Sequence, residues 1–157
     1  MRKNNEIYDI KEITKRIESY CSSQDRCKWE IEKKLKIWGI DMSSVDLIIN
    51  NLILEKFIDE KRYSESFCRG KFRIKKWGKR KISNELRSKK ISETHIKQGI
   101  SQINDEEYQN TLLSLIQKKK ILINESDEFI EKVKVSKYLQ RKGFESYLIW
   151  KILNKDN

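Results

Sequence analysis

The chain has 157 residues, 37% of them apolar and 38% charged, and 35 Lys and Arg against 24 Asp and Glu leave a net charge of +11. That length fits one or two ordinary domains with a thin core. No run approaches the roughly 18 apolar residues that span a bilayer, so no membrane association is expected, and the basic surplus favours partners that are polyanionic or carry an acidic face.

Proline is absent and glycine occurs only five times, so the residues that break helices and build hairpins are nearly missing and an all-α chain is expected. The opening stretch MRKNNEIYDIKE lacks a signal peptide's apolar region, which predicts a cytoplasmic protein. Cys21, Cys27 and Cys68 are odd in number, and reduced thiols are expected in place of a disulfide framework.

Ile10, Ile13, Ile17 and Tyr20 form the first helical stripe. Ile31 and Leu35 then share a helix face, Gly39 offers a left-handed stop, Ile40 fills the corner, and Asp41 caps a second helix carrying Val45 and Ile49. The pattern returns at a spacing of about fifty residues. Its second copy is Ile82, Leu86, Lys90, Ile91, Ile96 and Ile100, with Ser92 as the cap and a preceding stripe of Tyr63 and Phe67 behind Asp59. Its third copy is Val135, Leu139, Gly143, Phe144, Ile149 and Leu153, preceded by Tyr108, Leu112, Leu115 and Ile116 behind Asn104. Ser146 is expected to cap the last helix because Glu145 is a poor cap, and ILINESDE at 121 to 128 reads as an inserted loop. The prediction is an elongated array of three tandem three-helix, helix-turn-helix-like repeats at 1–56, 57–104 and 105–157.

Charge is concentrated in the second repeat. From Arg69 to Lys90, RGKFRIKKWGKRKISNELRSKK carries eleven Lys or Arg and one Glu. Its centre, Arg69, Lys71, Arg73, Lys75, Lys76, Trp77, Lys79, Arg80 and Lys81, is the candidate binding surface, with Phe72 and Trp77 interleaved among the cations. Such cations neutralise phosphates or acidic side chains, and an exposed Trp77 can stack on a base or anchor a protein interface, whereas Trp29, Trp38 and Trp150 are assigned to the core. The competing reading is a solvated helix face whose long side chains cover a junction between repeats. The single sign of the run argues against it.

Groove-reading helices have little support: SSVDLIINNLILE at 43 to 55 carries two acids and no base, and ISETHIKQGIS offers only His95 and Lys97. Catalysis has less. There is one histidine, and no CxxC, HExxH, GxGxxG or GxxxxGK[ST] pattern. Cys21, Cys27 and His95 lack zinc spacing, and Glu106 with Glu107 suit a helix N-terminus better than an acid–base pair. No enzyme activity, metal or cofactor is expected.

The stretch EKFIDEKRYSESFCRGKFRIKKWGKRKISNELRSKKIS at 55 to 92 resembles the signature region of the RecX family. The matching positions are Ile58 with Asp59, Arg62 with Tyr63, Phe67, the basic run, Leu86, and Lys90 with Ile91. CKWEIEKKLKIWGID upstream and YLQRKGFESYLIWKIL downstream fit as well, so the likeness runs roughly from Ile13 to Leu153. Lys90 departs from the glycine found in the other two repeats and often in the family, a change that costs about 1 kcal/mol in a left-handed position.

The resemblance implies tandem three-helix repeats in a curved, elongated shape that binds the RecA recombinase and its filament on single-stranded DNA. It also implies lengthwise seating in the filament groove and reduced ATPase and strand exchange, hence a place in recombination, DNA repair and the SOS response. A monomer is expected, with direct DNA binding through the basic stretch as an addition. The alternative is a helical nucleic-acid-binding module acting independently of RecA, and behind it a passive scaffold.

Overall fold

The computed structural model describes residues 9–155; residues 1–8, on which most of the signal-peptide expectation rests, lie outside them. Among the described residues there are nine helices and no strand: α1 (Ile10–Ser23), α2 (Lys28–Ile37), α3 (Met42–Leu54), α4 (Glu60–Arg73), α5 (Lys79–Ser88), α6 (Glu93–Ile100), α7 (Asp105–Ile123), α8 (Glu128–Arg141) and α9 (Ser146–Leu153). The chain is an all-α tandem repeat, as its periodicity predicts. None of the described helices is long and apolar enough to cross a membrane.

The repeated corners explain the register. Gly39, Lys90 and Gly143 all take positive φ (79°, 60° and 97°). In each case the next residue's N–H donates back to the leucine that ends the apolar stripe: Ile40 to the Leu35 carbonyl, Ile91 to Leu86 and Phe144 to Leu139, each at 3.1 Å. This is the six-to-one closure that a left-handed residue permits. The three leucines are fully buried. Lys90 adopts the same conformation as the two glycines and carries the steric cost of its Cβ.

Asp41, Ser92 and Asn104 cap α3, α6 and α7 as expected, each accepting a backbone N–H three residues on. Asp59 likewise accepts from the N–H of Arg62 at 3.0 Å in the first turn of α4. Ser146 does not cap α9. Glu145 occupies that position without a side-chain cap bond, because its carboxylate is taken by Tyr108. The expected loop at 121 to 128 also shrinks: α7 runs on through Ile121 and Leu122 to Ile123 and stops at Asn124, whose φ of 48° gives the left-handed closure. The Asn-Glu-Ser-Asp cluster at 124 to 127 is the connection itself, while the exposed Ile121 and Leu122 before it belong to the helix.

The described residues fall into two compact units, one ending at Tyr63 and the other beginning at Ser64. In the first, Ile17, Ile31, Leu35, Val45, Ile48 and Leu52 form the core. In the second, Ile82, Leu86, Leu112, Leu139, Ile149 and Leu153 are buried. Trp29, Trp38 and Trp150, assigned to the core from sequence, are half-buried. Lys33 lies 4.3 Å over the ring of Trp29 and Arg16 lies 4.6 Å over that of Trp38, so the indoles serve as platforms for cations at the edge of the core. The three cysteines are free and buried, and burial pushes the Cys21 thiol up to about 11 and the Cys68 thiol up to about 12.

Candidate cationic surface

The basic stretch is organised by the way α5 begins. Gly78, the residue before α5, has no side chain with which to cap the helix. The work is done by backbone from the corner after α8: the Gly78 N–H donates to the Lys142 carbonyl at 2.7 Å and the Arg80 N–H to the Gly143 carbonyl at 3.0 Å. The Lys79 N–H donates to the Tyr108 hydroxyl at 3.0 Å, and that hydroxyl donates to Glu145 Oε1 at 2.6 Å. The amide end of one helix is thus met by the carbonyl end of another, so orphan groups of each find partners in the joint.

Only glycines allow this approach. A Cβ on Gly78 would lie 2.2 Å from the Gly143 carbonyl carbon, and one on Gly143 would lie 2.5 Å from the Lys81 nitrogen. Beneath the crossing, the Tyr108 ring packs between Phe72 and Phe144 at centroid distances of 5.7 and 5.2 Å. Burial first, and then its bond to Glu145, raise the Tyr108 hydroxyl well above the ordinary phenol value.

The nine residues singled out from sequence are divided by this joint. Arg73, Lys75, Lys76 and Arg80 are exposed. Lys71 and Lys81 are half-buried, with their ammonium groups 4.9 and 4.4 Å from the Trp77 ring. Trp77, expected to stand exposed, is half-buried beneath those two cations, and Phe72, read as part of the same surface, is in the core. Lys79 pairs with Asp105 at 3.2 Å and lies 4.6 Å over the Tyr108 ring, and Arg69 is half-buried on α4. The exposed cations therefore sit at the end of α4 and on the outer face of α5, while Lys71, Lys79 and Lys81 lie against the rings of Trp77 and Tyr108.

The fold adds residues from far along the chain. Lys142 Nζ donates to the Lys75 carbonyl at 3.2 Å, and its amine is held below the usual lysine value by burial first and then by the charge of Lys81. Arg141 and Gln140 border α5 beside Arg80, Lys81 and Asn84. Sequence reasoning missed these because only tertiary packing brings α8 to α5; the stripe Arg80, Asn84 and Arg87 on α5 itself was visible as helical spacing. Among the described residues no group of His, Cys, Asp and Glu could hold a metal ion. His95 lies in the first turn of α6, its N–H donating to Ser92 Oγ at 3.3 Å.

These features define a tandem three-helix-repeat protein with a cationic face built around one of its middle helices. The family model for the second three-helix domain of RecX matches residues 59–100, and that for the third three-helix domain matches residues 105–153, together more than half the chain. The "Regulatory protein RecX" of Bacillus mycoides strain KBAB4 is 28% identical over 126 residues, covering 80% of this chain and 47% of that protein. That of Bacillus cereus strain B4264 is 27% identical over 131 residues, covering 83% and 48%. A crystal structure of regulatory protein RecX superposes with a TM-score of 0.84 at 27% identity, over 94% of this chain and 72% of that one. The crystal structure of RecX from Lactobacillus salivarius gives 0.82 at 25% identity, over 94% and 96%.

The chain belongs to the RecX family of regulatory proteins. It spans about half the length of the curated relatives it matches.

Proposed function

We propose that the chain is a non-catalytic regulator that binds the RecA recombinase and its filament on single-stranded DNA and lowers ATPase and strand-exchange activity, acting as a monomer in the cytoplasm. Membership of a family named for regulation supports the regulatory role. The binding surface lies in the stretch Arg69 to Lys81, and within it the exposed Arg73, Lys75, Lys76 and Arg80 make the outward contacts. Exposure of four same-sign charges in one short stretch is the observation that carries this reading, because such charges gain most when an acidic surface or phosphate arrives. The three repeats at 1–56, 57–104 and 105–157 supply further weak contacts, which add along a helical polymer through effective concentration.

The test is the single-stranded-DNA-dependent ATPase of the cognate RecA, titrated with this protein. Suppression is expected at concentrations too low to coat the DNA. Changing Arg73, Lys75 and Lys76 together to Ala leaves the joint intact and is expected to raise the concentration needed by roughly tenfold, about 1.4 kcal/mol. Undiminished suppression by that variant removes the surface from the proposal, and an ATPase that the wild-type protein leaves untouched removes the function.

A further inference from the structure

The outer face of α5 has a chemistry that a charge patch alone does not need. Arg80, Ser83, Asn84 and Arg87 follow one another along it, opposite the buried Ile82 and Leu86. Beside this face, the start of α9 raises Tyr147, whose side chain is 71% exposed. A cleft between the two is lined by Arg80, Ser83, Asn84, Arg87, Glu145 and Tyr147. A second concavity shares Arg80 and Asn84 and continues to Lys81, Gln140 and Arg141.

The acids around this surface are engaged or peripheral. Glu145 Oε1 accepts the Tyr108 hydroxyl. Glu93 clasps Arg87 through two bonds of 2.6 and 3.2 Å, which holds that guanidinium in place and lowers its claim on a ligand. Glu85 borders the far concavity beside Gln140. Arg80 and Arg141 remain as exposed cations flanking Asn84.

An acidic peptide would pair with the cations and could hydrogen-bond Ser83 and Asn84, but its carboxylates bring no flat face to the exposed ring of Tyr147. A strand of nucleotides uses all of them: phosphates for Arg80 and Arg141, a base edge for the amide of Asn84, and the flat face of a base for Tyr147. A duplex fits less well, because its base faces are already stacked and a tyrosine beside the helix cannot reach them. We infer that the cleft between α5 and α9, together with the adjoining concavity between α5 and α8, is a subsite for single-stranded nucleic acid, in which a base stacks on Tyr147 in the first and phosphates on either side pair with Arg80 and, in the second, with Arg141. The inference does not rest on the recombinase reading, since the strand binds this chain alone.

The experiment is fluorescence anisotropy of a labelled oligothymidylate of about a dozen nucleotides, a length suited to a short stacking groove. Tyr147→Ala is expected to bind roughly tenfold more weakly and Tyr147→Phe to bind like wild type, since stacking needs the ring and not the hydroxyl. On an abasic strand of the same length the Tyr147→Ala difference should vanish. Arg80→Ala with Arg141→Ala should lower the slope of log K against log salt by about 1.4, the value for two phosphate contacts on a single strand. Three results overturn the inference: Tyr147→Ala binding like wild type, a duplex of matching length displacing the strand, or the arginine variant losing only an acidic polypeptide such as polyglutamate. Oligonucleotide binding of this pattern with an unchanged recombinase ATPase leaves the subsite standing and removes the proposed function.

Discussion

Each compact unit contains a tyrosine at the same place in its repeat, and the two are secured differently. Tyr63 is the fourth residue of α4 and Tyr108 the fourth of α7, and each lies against the first turn of the preceding middle helix, α2 or α5. The Tyr63 hydroxyl donates to Glu30 Oε1 at 2.8 Å, with the Cys27 thiol as its other hydrogen-bonding neighbour. The Tyr108 hydroxyl bridges Glu145 and the Lys79 N–H, while the amides on either side of Lys79 are closed by carbonyls of Lys142 and Gly143. Where the first joint has the buried side chain of Cys27, the second has Gly78. A buried side chain such as that of Cys27 can repack around a substitution, but two backbones in hydrogen-bond contact cannot. At the second joint the two backbones come so close that a Cβ on Gly78 has no room.

The sharpest way to break that comparison is to put a methyl group at each position. Gly78→Ala must force apart two backbone segments, and it is expected to cost about 3 kcal/mol, near the upper end for overpacking. Cys27→Ala only removes a buried sulfur and is expected to cost about 1 kcal/mol. Urea unfolding of the two variants measures both, and a reversed ranking would show that the backbones at Gly78 can part at little cost. Next in size are the hydroxyls. Tyr108→Phe leaves a helix-terminal N–H and a carboxylate without their partner, a loss of about 2 kcal/mol, against about 1 kcal/mol for Tyr63→Phe, where one neighbour is a weakly bonding thiol.

The reason Gly78 could not be read from sequence is instructive. Its φ is ordinary, at −74°, so no local rule calls for glycine there. The demand comes from the Gly143 backbone, which approaches through tertiary packing. Glu145 was misread for the same reason: cap preference is local, whereas Tyr108 claims its carboxylate from another helix. By contrast the leucines Leu35, Leu86 and Leu139 and the corners that follow were legible, because spacing along one helix and a left-handed stop depend only on nearby residues. The basic stretch was legible as charge but not as a surface. Which of its members face water depends on Asp105 pairing with Lys79 and on Trp77 lying beneath Lys71 and Lys81. Tyr147 carried no signal until α9 was placed beside α5.

A smaller effect sharpens the comparison at the corners. Gly39 and Gly143 close their helices without a Cβ, whereas Lys90 does so at φ 60° with one. Lys90→Gly relieves that crowding and is expected to stabilise the second unit by about 0.5–1 kcal/mol, the steric gain being partly offset by the freer unfolded chain. Thermal unfolding should show the midpoint rising by a few degrees, on the order of what this free energy gives for a domain of about 100 residues. A fall would mean that the lysine side chain contributes more than its backbone strain costs.

The smallest expected effect separates the two matching caps by pH. Asp41 caps α3 in the first unit, where Ser92 caps α6 at the matching place in the second. Hydrogen bonds from Ser43 and then Ser44 hold the Asp41 carboxyl down at about 2. A carboxyl whose folded value lies below its unfolded one contributes stability that is complete above the ordinary carboxylate value and is lost as pH falls from about 4 toward 2. Serine has no such titration, so between these two matching caps only Asp41 makes an acid-dependent contribution; elsewhere in the second unit Glu93 and Glu125 are also held down, by Arg87 and Lys134. Asp41→Asn keeps an oxygen acceptor at the cap and removes the charge, so it should flatten the dependence of the unfolding midpoint on pH between about 4 and 2 while leaving the corresponding Ser92→Ala variant as pH-sensitive as wild type. Equal slopes for Asp41→Asn and the wild-type chain would show that the aspartate's bonds to the two serines are no stronger in the folded protein than in the unfolded one.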